Sequence, residues 1–151
     1  MDDLEADLTS GERLLLCGLR LLAAEAGRHT LQSNFEAACG CAGPQAFRAL
    51  QVFVQQLGLH SRRRIVVAPP AAAPPTGDEA LVLEVFGCAQ VDDYAGMDVR
   101  LARLIGCDPP ASLGGAACVV AESFGLGGLM LRARGNAAQR PAPLRTVAGL
   151  A

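Results

Sequence analysis

The sequence predicts an all-α fold, an irregular or orthogonal bundle of about five or six helices interrupted by an extended Arg/Pro-rich connector. Apolar residues recur at helical spacing in stretch after stretch, and most stretches close on glycine or proline. Hydrophobic residues make up 51% of the chain but aromatic residues only 4%. That balance suits helices meeting through alanine and leucine rather than an aromatic-rich sandwich core.

Ser10 is read as the N-cap of the first helix, whose Leu14, Leu15, Cys17, Leu19, Leu21 and Leu22 give a broad apolar surface before Gly27. A shorter helix is expected to begin at Thr30 or Ser33, carry Phe35, Ala37 and Ala38, and end near Gly40. The next opens with Pro44 in its first turn and presents Phe47, Leu50, Phe53, Val54 and Leu57, with Gly58 as its stop. Helix character then lapses. Arg64 to Ala68 has strand propensity without a partner strand, so an extended segment lying over helices is expected. Pro69, Pro70, Pro74 and Pro75 prolong it.

Thr76 and Glu79 have the spacing of a capping box, and Asp78 suits the electropositive first turn of the helix it opens. Leu81, Val82, Val85, Phe86 and Ala89 form that helix's stripe. A further helix over 92–105 uses Tyr94, Met97, Leu101, Leu104 and Ile105 and ends at Gly106. Beyond the Asp108-Pro109-Pro110 turn, Ser112 is read as the cap of the last helix, with Leu113, Ala116, Ala117, Val120 and Phe124 inward. No internal repeat stands out from the residues alone. The domain reading is an acidic arm over 1–9, one helical domain over 10–131 and a basic tail over 132–151.

The 151 residues carry a formal net charge of -2, which argues against a surface that coats nucleic acid. Every basic residue is arginine. The acids Asp2, Asp3, Glu5, Asp7 and Glu12 gather at one end and Arg132, Arg134, Arg140 and Arg145 at the other. No positively charged leader precedes the six cysteines, so a reduced, cytoplasmic protein is expected. Residues 113–131 approach spanning length, but Glu122 and the glycines oppose membrane insertion.

Arg62, Arg63 and Arg64 form the candidate binding segment, because guanidinium donors fork onto carboxylate or phosphate oxygens. Consecutive side chains diverge, so at most two converge unless the loop curls. They either bind an external anion or pair with acids such as Asp92, Asp93 or Asp98. Neither GxxxxGK[ST] nor GxGxxG is present.

Cys39-Gly40-Cys41 lacks the spacing of a zinc array and reads as free thiols; no metal or other cofactor is expected. His29 and His60 read as loop histidines, and Ser33 has no GxSxG elbow around it. Asp92 and Asp93 decorate a helix start, and Glu122 is expected as a helix-boundary acid reaching solvent. No catalytic constellation is complete.

The run from Phe35 through CGCAG, RRRIVVAPP and TGDEALVLEVFGCAQ resembles a family of small helical proteins of alphaproteobacteria without an established activity. The likeness covers about residues 12–131. It implies a bacterial cytoplasmic helical protein and assigns no residue a catalytic role.

The functional expectation is therefore a protein-interaction or regulatory domain, self-associating through outward Val52, Leu83 and Val99, with an acidic protein as a further partner. The alternative is an anion- or nucleic-acid-binding module built on Arg62, Arg63 and Arg64. A small enzyme, with Arg63 holding an anionic substrate and His60 moving a proton, comes third.

Overall fold

A computed structural model describes residues 8–71 and 74–132. Among them the chain forms α1 (Ser10–Ala23), α2 (Arg28–Cys39), a 3-10 turn (Gly40–Ala42), α3 (Gly43–His60), α4 (Gly77–Gln90), α5 (Tyr94–Ile105) and α6 (Ala111–Leu126). No strand occurs among the described residues, so the expected irregular helical bundle is what forms. The ends of the expected acidic arm and basic tail, residues 1–7 and 133–151, lie outside the described residues.

Several boundaries differ from the sequence expectation for identifiable reasons. Thr9, not Ser10, caps α1: its hydroxyl accepts from the Glu12 amide, and Glu12 returns the bond to the Thr9 amide. α2 starts earlier than Thr30 because left-handed Gly27 turns the chain straight into it. α3 runs through Gly58, which lies on its exposed side, and stops at Ser61. α6 begins at Ala111, directly behind Pro110.

The helices fall into two halves of the same design. α1 and α4 have 14 residues each, α2 and α5 have 12 each, and α3 and α6 have 18 and 16. Among the described residues, the two non-glycine residues with left-handed φ, Glu25 and Asp92, follow the first helix of each half. Left-handed Gly40 and Gly106 follow the second. Buried Leu31, Phe35 and Cys39 on α2 match buried Met97, Leu101 and Ile105 on α5. On the third helices Ala46, Phe47, Ala49, Leu50, Phe53 and Leu57 match Leu113, Gly114, Ala116, Ala117, Val120 and Phe124. The repeat escaped sequence reading because the shared feature is which positions are buried, while the residues at those positions differ.

The halves close on each other reciprocally. After α3 the chain runs extended to the start of α4, where the Thr76 hydroxyl donates to the Val66 carbonyl at 2.7 Å and the Ala68 amide donates to Glu79 at 2.8 Å. After α6 it runs to the start of α1. There the Thr9 hydroxyl donates to the Met130 carbonyl at 2.7 Å and the Arg132 amide donates to Glu12 at 3.1 Å. Each capping-box glutamate thus serves its own helix and also holds an extended segment arriving from the other half's last helix. Arg20 on α1 reinforces the closure by forking onto Glu79 at 3.0 and 2.9 Å.

α3 and α6, the two third helices, pack along one another where the halves meet. Phe35 on α2 stands edge-on to Phe124 on α6 at 5.6 Å, and Phe53 on α3 meets Phe86 on α4 at 4.7 Å. α4 lies against α1, α5 and α6 and is enclosed nearly all round. Leu83 is therefore buried, at 2% exposure, and is not the outward residue expected from its place off the α4 stripe. Val52 and Val99 do face solvent.

Candidate functional site

Helix ends decide what becomes of the three arginines. α5 stops at left-handed Gly106, leaving its last carbonyls exposed to the chain that follows α3. The Arg62 amide donates to the Ile105 carbonyl at 2.7 Å. Arg63 Nη1 donates to the Leu104 carbonyl at 2.7 Å, placing positive charge where a helix C-terminus favours it. Its Nη2 donates to Asp78 Oδ1 at 3.0 Å, while Asp78 Oδ2 accepts from the Val66 amide. Arg63 is thus a clamp between the end of α5 and the start of α4. The native acid it meets is Asp78, rather than Asp92, Asp93 or Asp98, because the connector passes the C-terminal end of α5 while Asp92 and Asp93 lie at its beginning.

Arg62 and Arg64 are exposed, and among the described residues neither side chain makes a hydrogen bond or ion pair. The sequence divergence of consecutive side chains is realised: all three are exposed, but only the Arg63 guanidinium is tethered to the protein. Replacing Arg63 by glutamine is expected to cost about 1 kcal/mol, whereas Arg62→Gln or Arg64→Gln should stay within about 0.5 kcal/mol. Urea denaturation of the three single variants checks the difference.

Arg62 also borders an open hollow of about 640 Å³ shared with His60, Cys107, Asp108 and Pro110. Cys107 Sγ lies 3.6 Å from the His60 carbonyl, a weak contact. The Ser61 hydroxyl is engaged with the backbone of Arg63. Neither Asp92 nor Glu122 lines this hollow, so neither carboxylate stands there beside His60. Glu122 is exposed within α6 instead of at its boundary.

The remaining sequence candidates separate. Cys39 is buried and burial pushes its thiol up, while neighbouring Cys41 is exposed. His29 and Ser33 face solvent on α2. Among the described residues no group of three or more His, Cys, Asp or Glu side chains is placed to hold a metal ion. No helix there is long and apolar enough to cross a membrane.

A second concavity went unnoticed in the sequence. It lies between α5 and α6, has a volume of about 740 Å³, and is walled by Met97, Val99, Ala102, Pro109 and Gly114. Tyr94 and Val99 on its rim are 50% and 56% exposed. Asp98 and Asp108 line it, and no basic residue does. Cys118 at its edge has its thiol pushed up, first by burial and then by Asp92, Asp98 and Glu122, so these carboxylates gather around it. Tyr94 donates to Asp92 at 2.8 Å, which ties the rim to the α4–α5 turn.

The groove exists because the second half is spaced differently from the first. α2 passes to α3 through the short turn Gly40–Ala42, and the two helices pack closely. The link from α5 to α6 over 106–110 is longer and ends in two prolines, and α5 lies instead against α4. The readable trace was Gly114-Gly115 near the start of a helix, a pair that weakens a helix unless the space is wanted.

Comparison with protein-family models, curated proteins and solved structures returns no match for this chain.

Proposed function

We propose that the protein is an interaction domain whose partner seats on the face formed by α5 and α6. The observation that carries this reading is the open groove between those helices, flanked by half-exposed Tyr94 and Val99. Large apolar side chains beside a concave surface are what a protein interface is built from. The groove's lining offers carboxylates, a tyrosine and one thiol, and no histidine or basic group.

Self-association through Val52, Leu83 and Val99 is weakened as a reading, since Leu83 is enclosed. The acidic-partner reading centres on Arg62 and Arg64, two exposed cations beside exposed Leu59. The groove is the larger and more apolar of the two concavities, so we place the principal partner there.

A photo-crosslinking residue installed at Val99 and, separately, at Leu59 tests the choice in cells that express the chain. Products are expected from position 99 that disappear when Gly115→Arg is added to block the groove. Products from position 59 alone, or products at 99 indifferent to Gly115→Arg, would overturn the reading in favour of the arginine segment or of no specific partner.

A further inference from the structure

The two halves of the chain differ at one place in a way that says what the groove accepts. In the first half Phe47 projects from α3 toward α2, stands edge-on to Phe35 at 6.0 Å, and is nearly enclosed. The following residue, Arg48, faces solvent. At the matching positions of the second half stand Gly114 and Gly115. A Cβ on Gly114 would meet Met97 Cε at 3.1 Å and Leu101 Cδ1 at 3.9 Å. These belong to the α5 residues that correspond to Leu31 and Phe35 of α2. A Cβ on Gly115 would meet nothing within 4 Å. Met97, itself buried, therefore fills the place beside Gly114 that Phe47 takes in the first half, and the room left open lies over Gly115.

Charge narrows the occupant further. Asp98 and Asp108 line the groove, and Asp92 and Glu122 stand close to Cys118 at its edge. No arginine or histidine lines the groove itself, and of its two carboxylates Asp108 also borders the hollow of Arg62 and His60 while Asp98 does not. A ligand that left these carboxylates facing its own acids would be repelled, and one carrying guanidinium or ammonium groups would be steered in. Met97, with a flexible side chain against bare helix backbone, forms an adaptable wall suited to varied apolar shapes.

Resting on the interaction reading above, we infer that the α5–α6 groove binds a basic peptide segment of a partner protein, laying a large apolar side chain over Gly115 beside Met97. Val99 and Tyr94 cover that side chain from the α5 side. Flanking arginines or lysines of the segment pair with Asp98 and Asp108. The specificity is the reverse of that expected for Arg62 and Arg64, although the two concavities share Asp108 and Pro110.

A randomised peptide library panned on the full-length chain, with the Gly115→Arg chain as counter-selection, tests this. Enriched peptides should combine a Phe, Leu, Ile or Met with flanking Arg or Lys. Changing the apolar residue of an enriched peptide to alanine, or its basic flanks to glutamate, should each weaken binding by roughly tenfold or more. Asp98→Asn with Asp108→Asn should flatten the salt dependence while circular dichroism stays unchanged. Enrichment of acidic peptides, of peptides without a large apolar residue, or of none that discriminates the Gly115→Arg chain would overturn the inference. Groove-dependent crosslinking from position 99 together with any of those results would leave the interaction reading standing and reject only the basic ligand. Absence of both would reject the two together.

Discussion

Arg20→Met is expected to destabilise the protein by about 3–5 kcal/mol, because it strips the guanidinium from a carboxylate that has no access to water. Glu79 is fully buried and Arg20 is 5% exposed. With Arg20 gone, Glu79 would keep the amides of Ala68 and Thr76 but lose both charged donors and their compensating charge. Thermal unfolding should fall by roughly 10 °C for a chain of this size. Arg20→Met combined with Glu79→Gln should recover part of the loss, since the stranded charge is then removed while an amide oxygen can still accept from the connector. A single variant within 1 kcal/mol of wild type (about one ordinary hydrogen bond) would mean that the halves are not held by this pair.

The same pair sets an acid limit. Burial pushes the Glu79 carboxyl up, but the hydrogen bonds from Arg20, Thr76 and Ala68 and the charge of Arg20 outweigh burial and hold it below the ordinary glutamate range. A carboxyl lowered in the folded state contributes stability that is fully present above its unfolded value of about 4.3 and is lost as pH falls through the folded value. In Arg20→Met the burial effect is left with weaker opposition, so the acid-side loss should begin at higher pH than in the wild type. Urea midpoints taken from neutral pH downward read this shift directly.

What the sequence made legible follows the range of the interaction. The box at Thr76 and Glu79 is local, and it forms with the expected geometry. Its twin at Thr9 and Glu12 was displaced by one residue, because Thr9 and Ser10 are both good caps and only the glutamate spacing separates them. The extended connector was legible from its prolines, and the divergence of Arg62, Arg63 and Arg64 from the geometry of consecutive side chains. That Arg63 would find Asp78 and a helix end was not legible, since it depends on where α5 stops relative to a segment far from it in sequence. The groove was less visible still. It lies over two small residues, whose meaning shows only after Gly114 and Gly115 are set beside Phe47 and Arg48.

Phe35→Ala should cost about 3–5 kcal/mol, the cost of removing a fully enclosed phenyl ring whose surroundings relax only partly. Phe35 is at 0% exposure and touches Phe47 in its own half and Phe124 in the other, so one truncation loosens both the α2–α3 contact and the joint between halves. Phe35→Leu, which installs the residue found at the matching position Leu101, should cost distinctly less, because a leucine still reaches both neighbours. Hydrogen exchange should show the alanine variant losing protection on α6 as well as on α2, since Phe124 belongs to α6. Loss confined to α2 would mean that the halves are stable independently and that their closure rests on the capping-box contacts rather than on the shared aromatic core.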